Sequence, residues 1–556
     1  MKRARKMKML LCAMLIAAMV LGGCGSSGAE KNTPVGSNGT GNEKNAGETK
    51  SDIQTNVADN GDGSIVQDKV TYTIACRLSP NWGNPAEGEF WKQLEEETNI
   101  HIEWVTYLET EAAEKFKLLM ASGDYPDAFI GGLGGDDSDV ISYGSQGIYI
   151  PLNDLISENA ANFNRRLNEE YPDVTKMITA PDGNIYAMPG VLYNPVIYNS
   201  TYINKKWLEV IGAQVPATTQ EFEEVLKKFK TEDPNGNGKT DEIPLTFIYS
   251  DWGASDAGGY FGAFGYPLSP DYTVIDQGKV VYLGIQDSFK AGANWLAQLY
   301  SENLIDKDVF TQDDSAYSAK VSTGTVGVFS SWDTSAAGDY ASDYVALMPL
   351  AGPNGDKNSL KEGITGFYKS QFIITNKAKN PEILMKWVDR FYKDIETGLN
   401  ATQGMGPDRN KSWYKDDNGS IVWNSEISSE YERGQQQLPF APAILGSQAE
   451  SILSASGFAK EKADVVAQLL PYAEKFTDGT WERWPITFMT TDESEEVSIM
   501  ENDLKNYSKN QLAKWITNES KADDDWSSYI KDLKDIGLEQ WLSLKQEIYD
   551  RYNSVE

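Results

Sequence analysis

Beyond about residue 69 the sequence alternates between strand-like and helix-like segments, and this alternation limits the folds that the chain can adopt. Val70–Cys76 is rich in β-branched and aromatic residues, which predicts a strand, and Phe90–Glu95 begins a helix. A second strand and helix follow, and a further apolar run ends at Ile130. This order predicts an α/β fold with a parallel sheet covered on both faces. Since such sheets bind ligands beyond the carboxyl ends of their strands, the loops around Trp82 and after Ile130 are cleft candidates.

The N-terminus indicates export and a lipid anchor. Residues 1–8 carry five positive charges, and Met9–Leu21 is apolar, which is the length of a signal-peptide core and too short to span a bilayer with ease. The following Leu-Gly-Gly-Cys resembles a bacterial lipobox, so we predict a signal peptide over residues 1–24 with lipidation, such as palmitate, on Cys24. An ordinary secretory signal with a chance cysteine is the alternative. We expect the protein on the extracellular face of a bacterial cell membrane.

Residues 25–68 are dominated by Gly, Ser, Asn, Thr, Lys and Glu, a composition that cannot bury enough apolar surface to order itself. We predict a disordered tether. Residues 69–556 exceed what a single core usually accommodates, so at least two lobes are expected.

Charge and cysteine content exclude several function classes. The formal net charge is −32, and a field of this sign repels nucleic acid and anionic headgroups, so we expect no nucleic-acid partner. Cys12 and Cys24 belong to the signal and the lipid site, which leaves Cys76 without a partner for an intrachain disulfide.

Histidine chemistry is also nearly excluded. His101 is the single histidine, and its strand pattern places it opposite Ile100, Ile102 and Trp104, on a solvent-facing side. A histidine-based catalytic triad or zinc site would depend on this one residue. A glycosidase carboxylate pair is not excluded by counting, since such pairs are defined by spatial separation.

The stretch DPNGNGKTDE, from Asp233 to Glu242, is close to two motifs, the phosphate-binding P-loop and the EF-hand calcium loop. A P-loop requires glycine where Asp233 stands, and it follows a strand and opens a helix. Here the order is reversed, because Thr218 begins a helix with apolar residues at helical spacing before the loop, and Ile243–Tyr249 is strand-like after it. The neighbouring carboxylates would also repel a polyphosphate.

Calcium suits the same loop better, because hard cations bind oxygen atoms closely spaced around a tight turn. We predict a structural Ca2+ clamp, with a plain Asn/Gly turn as the alternative. The predicted ligands are Asp233, Asn235, Asn237, the Lys239 carbonyl, Asp241 and Glu242.

Several stretches spread over residues 69–553 carry a family resemblance; they include ASGDYPDAFIGG, DGNIYAMPGVLYNPVIYN, WLEVIGAQVPATTQEFEEVLKKFKTEDPNGNGKTDEIPLTF and TGTVGVFSSW. They resemble the extracellular solute-binding proteins, family 1, of bacterial ABC importers, in particular the oligosaccharide-binding lipoprotein branch that includes alginate-binding proteins and the LipO group. In that branch the DPNGNGK-x-DE loop looks like a calcium site. This sequence departs from the pattern of that branch mainly in the cleft loops. The resemblance therefore does not identify the ligand.

The resemblance implies a two-lobed periplasmic-binding-protein-like fold (type II), a clamshell with an interlobe cleft. By this similarity the first lobe takes residues 69–189 plus 345–394, and the second takes 190–344 plus 395–556.

Sugar sites combine aromatic faces for stacking with polar side chains for hydroxyl groups. By resemblance, certain loops line the cleft, and their candidate ligand-binding residues are Trp82, Asp136, Tyr193, Asn194, Tyr249, Asp251, Trp252, Trp332 and Asp333. Trp526, Tyr529, Ile530 and Leu533 lie at helical spacing and are assigned to core packing instead.

These observations predict a monomeric, lipid-anchored receptor, not an enzyme, that captures an oligosaccharide or related glycan and delivers it to ABC permease subunits. Two alternatives stay open: a secreted glycan-active enzyme, and the same fold binding a peptide or another non-sugar solute.

Overall fold

The computed structural model describes residues 64–78, 84–191, 197, 200–249, 255–361, 366–424, 438, 441–445 and 457–555. The strands, in chain order, are β1 (Val70–Leu78), β2 (Ile100–Leu108), β3 (Ala128–Ile130), β4 (Met188–Val191), β5 (Ser200–Asn204), β6 (Ile243–Thr246), β7 (Thr273–Asp276), β8 (Lys279–Tyr282), β9 (Val326–Ser331), β10 (Tyr344–Leu347), β11 (Phe367–Ile374), β12 (Trp413–Lys415), β13 (Ile421–Trp423) and β14 (Trp481–Glu482).

The α-helices are α1 (Glu89–Thr98), α2 (Glu109–Ser122), α3 (Asp137–Ser145), α4 (Asn153–Asn159), α5 (Ala161–Glu170), α6 (Val174–Ile178), α7 (Lys205–Val210), α8 (Thr219–Thr231), α9 (Asp287–Ser301), α10 (Asp314–Val321), α11 (Pro381–Asp389), α12 (Ile395–Gln403), α13 (Gly457–Leu469), α14 (Glu474–Thr477), α15 (Thr491–Ile516), α16 (Ala522–Ile536) and α17 (Leu538–Asn553). Short 3-10 segments cover Gly258–Phe264, Leu283–Ile285, Lys307–Phe310, Thr334–Asp343, Arg390–Tyr392 and Leu470–Ala473.

The first sheet has the strand order β2-β1-β3-β11-β4. β1 is parallel to β2 and β3, and β11 runs antiparallel to β3 and β4. The carboxyl ends of β1, β3 and β4 therefore share one edge. Successive side chains of β1 point to opposite faces of the sheet and pack in different cores. Ile74 packs in the cluster of Trp387, whereas Ala75 packs in the cluster of Phe116. The predicted coverage of both faces is confirmed. The predicted parallel pairing holds for β2, β1 and β3 but is wrong for β11, whose antiparallel direction makes the sheet mixed.

The second sheet has the order β10-β5-β9-β6. β6 and β9 are parallel, and β5 runs antiparallel to both β9 and β10. The carboxyl ends of β6, β9 and β10 consequently lie at the same edge as the amino end of β5. Smaller sheets pair β14-β7-β8 and β12-β13.

The C-terminal helices complete the core beneath the second sheet. Trp515 of α15, Tyr529 and Leu533 of α16, and Trp541 of α17 are buried in one cluster with Leu245 of β6. The predicted core-packing role of Tyr529 and Leu533 is confirmed, and Trp526 and Ile530 pack partly buried against the same cluster.

The packing departs in two places from the lobe boundaries that the resemblance implies. β10 pairs within the second sheet, although the boundary at residue 345 divides it. Ala401 and Ile444 pack in the core of the first sheet, and the Val191 amide donates to the Ala443 carbonyl at 2.7 Å. Residues 441–445 thus lie beside β4. The interlobe boundaries themselves stay a prediction.

Two isolated reactive residues are placed as the sequence predicts. His101 is exposed on β2, where its Nδ1 lies 2.9 Å from Glu95 Oε2. Cys76 is fully buried on β1, and burial raises the pKa of its thiol to about 12.

Candidate functional site

Candidate ligand-binding residues follow the strands that end at the shared edge of the first sheet. Trp82 follows β1, Asp136 follows β3, and Tyr193 and Asn194 follow β4. Trp82, Tyr193 and Asn194 lie outside the described residues. Asp136 is exposed and caps α3, because its Oδ1 accepts from the Asp139 amide at 2.9 Å while the Asp136 amide donates to the Asp139 carboxylate at 3.2 Å. The candidate residues of the first sheet therefore all follow strands that end at this edge.

The second sheet presents its candidates at the corresponding edge. Tyr249, Asp251 and Trp252 follow β6, and Trp332 and Asp333 follow β9. Asp251 and Trp252 lie outside the described residues. The chain leaves β4 at this kind of edge in the first sheet and enters β5 at the edge of the second, with only residues 192–199 between. So short a connection keeps the two edges within reach of one another.

Trp332 lies at the end of β9 beside a buried lysine. The indole is 40% exposed, whereas Lys462 of α13 is 5% exposed. Lys462 Nζ lies 4.6 Å from the indole centroid, within the range of a cation–π contact, and it donates to Ser200 Oγ at 2.9 Å. Burial lowers the pKa of Lys462 to about 7, and the negative charge of Asp333 opposes this shift. The buried lysine thus packs against the indole ring, which remains partly exposed to solvent.

Neighbouring contacts fix α13 to the end of β9. Thr334 Oγ1 donates to Glu461 Oε2 at 2.8 Å, and the Tyr202 hydroxyl donates to the Trp332 carbonyl at 3.3 Å. Asp333 Oδ1 accepts from the Ser335 amide at 2.8 Å and so caps the 3-10 segment that follows. Asp333 has a local structural role in addition to the predicted one.

Tyr249 makes its described contacts inside the second lobe. Its hydroxyl donates to the Lys509 carbonyl at 2.6 Å, and its ring centroid lies 4.8 Å from that of Phe310. The side chain is half-buried and lines a small pocket together with Tyr272 and Leu512. A ligand role for Tyr249 stays a prediction.

The loop from Asp233 to Glu242 folds as a tight turn stabilised by its own acidic and amide groups. Asp233 accepts from the Asn237 and Gly238 amides at 3.2 and 3.0 Å. The Asn237 side-chain amide donates to Asp241 at 2.9 Å. These contacts gather oxygen-bearing side chains around one turn, as the sequence predicts for a cation loop.

Glu242 carries the strongest sign that a cation fits this loop. Its Oε1 is buried and makes no hydrogen bond within the described structure. Burial raises the pKa of Glu242, and the carboxylates of Asp233 and Asp241 raise it further. A divalent cation would give these oxygens a partner. However, among the described residues no group of three or more His, Cys, Asp or Glu side chains is arranged to hold a metal ion.

The predicted lipid site, Cys24, lies outside the described residues. Within the part of the chain that is described, no helix is long and apolar enough to cross a membrane.

Residues 79–394 match the family model of the bacterial extracellular solute-binding proteins. The chain is 32% identical over 506 residues to the fructooligosaccharide ABC transporter substrate-binding protein FusA of Streptococcus pneumoniae, an alignment that covers 88% of this chain and 92% of FusA. It is also 23% identical over 356 residues to lipoprotein LipO of Bacillus subtilis, covering 61% of this chain and 66% of LipO.

Solved structures share the fold. The FusA complex with kestose has a TM-score of 0.66 and 31% identity, and the match covers 87% of this chain and 100% of that one. A FusA EF-hand mutant in complex with fructo-nystose has a TM-score of 0.66 at 30% identity, with 87% of this chain and 100% of that one covered. An extracellular solute-binding protein from Bifidobacterium longum subsp. infantis reaches 0.70 at 23% identity, covering 87% of this chain and 98% of that one.

Proposed function

This chain belongs to the bacterial extracellular solute-binding proteins, and from that premise we propose that it binds an oligosaccharide between its two sheets and delivers it to the permease of an ABC importer. Fructooligosaccharides are the first candidates, because FusA, the relative at 32% identity, is a fructooligosaccharide-binding protein. No bond is made or broken in this role.

One observation carries the proposal. Trp332 offers an exposed aromatic face at the carboxyl end of β9, on the side where the chain connects the two sheets. Sugar rings stack on such faces through their C–H groups. Lys462, buried and hydrogen-bonded to Ser200, packs against the ring and holds it in place.

Delivery would work by population shift. A ligand that touches both sheets binds the closed arrangement more tightly than the open one, so it favours closure. The permease would then recognise the closed form. We propose that the protein acts as a monomer in this step.

Calorimetric titration with kestose tests the function. We expect about one kestose bound per chain, with the sugar recovered intact. Trp332→Ala should raise the Kd about tenfold or more, because a buried aromatic contact is lost. The matched control is Tyr340→Ala, since Tyr340 is an aromatic of similar exposure, 41%, in the 3-10 segment that follows Trp332.

Three outcomes contradict the proposal. Hydrolysed kestose would indicate the glycan-active enzyme. Binding of a peptide but of no oligosaccharide in a thermal-shift panel would indicate a non-sugar solute. An equal loss of affinity in Trp332→Ala and Tyr340→Ala would remove Trp332 from the site.

We further propose that the Asp233–Glu242 loop binds a structural Ca2+ through the predicted oxygen ligands. The buried Glu242 Oε1 and the adjacent carboxylates support this assignment. The bound ion would neutralise mutual repulsion among the carboxylates and clamp the connection between α8 and β6. The exit into a strand argues against a sensor that opens on binding.

We also propose that Cys24 carries the lipid that tethers the protein to the extracellular face of the membrane. The lipobox-like sequence supports this proposal. Cys24→Ala should release the protein from washed cells into the medium, and retention of the variant on cells that no longer incorporate labelled palmitate into it would contradict the assignment.

A further inference from the structure

The edge of the first sheet carries a second group of polar residues, on the strand β11. The pairing of β11 with β4 shifts in register between Tyr368 and Phe372. Ser370 and Gln371 lie within this irregular stretch. Irregular pairing re-aims side chains and is frequent next to functional sites.

Two consecutive residues of this stretch each have one polar atom without a partner. Ser370 Oγ and Gln371 Oε1 are buried and make no hydrogen bond within the described structure. Gln371 is only 5% exposed. A buried polar atom without a partner costs free energy, so two neighbouring ones indicate that something else completes them.

Arg77 and Gly132 complete the same corner of the sheet. A Cβ on Gly132 would lie 3.7 Å from Gln371 Nε2 and 3.8 Å from Arg77 Nη2, so the amide and the guanidinium converge above this glycine. Gly132 has φ +75°, a conformation that favours glycine. The Gly131 amide donates to the Gln371 carbonyl at 2.9 Å and fixes the loop to β11.

The chemistry of this corner suits neutral hydroxyl groups. The amide of Gln371 provides an acceptor next to a donor, the Ser370 hydroxyl does both, and Arg77 donates. Adjacent sugar hydroxyls also donate and accept, so they can satisfy the oxygen atoms as well as the nitrogen atoms. The nearby positive charge of Lys369 is neutralised, because Lys369 Nζ pairs with Asp137 and donates to the Thr487 carbonyl at 2.7 Å.

We propose that Arg77, Ser370 and Gln371 form the contact of the first sheet with the ligand and take adjacent hydroxyl groups of a neutral saccharide. This inference rests on the proposed function. It adds a ligand contact on the first sheet to the one proposed at Trp332, since Arg77 lies near the carboxyl end of β1 and Gln371 is bonded to the loop after β3. A neutral oligosaccharide would then join both sheets.

The test combines kestose affinity with the stability of the ligand-free protein, measured on the full chain. Ser370→Ala should raise the Kd about fivefold and Gln371→Leu about tenfold or more. In the absence of kestose both variants should melt at or above the temperature of the unchanged protein, because each removes an unsatisfied buried atom. The control Ile373→Val, on the same strand, should lower the melting temperature and leave the Kd unchanged.

Each outcome separates the inference from the function on which it rests. A protein that binds no oligosaccharide overturns both. Kestose binding that is equal in Ser370→Ala, Gln371→Leu and the unchanged protein, with lowered melting temperatures, assigns the two residues to structure and overturns the inference alone. Tighter binding of trigalacturonate than of kestose overturns the choice of a neutral saccharide.

Discussion

Lys462 places an ammonium group where little water reaches it, close to the Trp332 ring, Ser200 and Asp333. Burial lowers its pKa from 10.5 to about 7. Between these values the unfolded chain holds a proton that the folded chain has lost, so this group makes the free energy of unfolding rise with pH. Below about pH 7 the lysine is charged in both states, and its burial costs stability in full.

We therefore expect Lys462→Met to reduce the gain in stability between pH 7 and pH 9 by about 1–2 kcal/mol, as measured by denaturant unfolding at the two pH values. Lys460→Met is the matched control, because Lys460 is exposed on the same helix and pairs with Asp464 at 2.8 Å. An identical pH dependence in Lys462→Met and the unchanged protein would show that Lys462 is not the titrating group.

At this scale the sequence pointed to Trp332 but not to Lys462. Trp332 directly follows an apolar run that reads as a strand, which is a local signal. Lys462 lies in the helix GFAKEKADVVAQL, where Lys460 and Lys462 look alike. The packing of α13 against the end of β9 buries Lys462 and leaves Lys460 in water. Such a tertiary contact cannot be recognised from local sequence spacing.

Among the elements, the loop between α8 and β6 was the best predicted. Thr218 Oγ1 accepts from the Glu221 amide at 3.1 Å, so the capped helix start is confirmed, and a strand follows the loop at Ile243. Capping and apolar spacing are local and can be recognised in one sequence. The irregular pairing of β11 could not be predicted, because its register depends on β3 and β4, distant in the chain.

Calcium should stabilise this loop through carboxylates and not through the lysine side chain. We expect EDTA to lower the melting temperature and calcium to restore it, because the ion binds the folded loop selectively. Glu242→Gln should abolish most of this difference. Lys239→Ala should retain it, since Lys239 would contribute only its carbonyl oxygen. A melting temperature insensitive to both reagents in the unchanged protein would favour the plain turn.

For the molecule as a whole, the alternation and the family resemblance predict two α/β lobes, but they predict neither the antiparallel strands β5 and β11 nor the partition of the C-terminal third. Residues 441–445 lie beside β4 although most later helices cover the second core. The apolar spacing of a helix shows which of its faces is buried but not which core it packs against. Sequence spacing therefore could not assign the C-terminal helices to one lobe or the other.

Kestose should make the molecule more compact if its ligand joins both sheets. Small-angle X-ray scattering should show a smaller radius of gyration with kestose than without it. Gln371→Leu, at a kestose concentration that occupies the unchanged protein but not the variant, should remain at the larger value. Saturating kestose that leaves the radius of gyration unchanged would show that binding occurs without closure.

The buried thiol of Cys76 makes these motions accessible to optical methods. A thiol with a pKa of about 12 and no exposed surface does not react with maleimide dyes near pH 7. With Cys24 acylated, dyes would attach only to cysteines introduced by design, for example at Leu118 on α2 and Val210 on α7, which are 56% and 64% exposed. Energy transfer between two such dyes would test, in a single molecule, whether sugar binding brings the two labelled helices closer together.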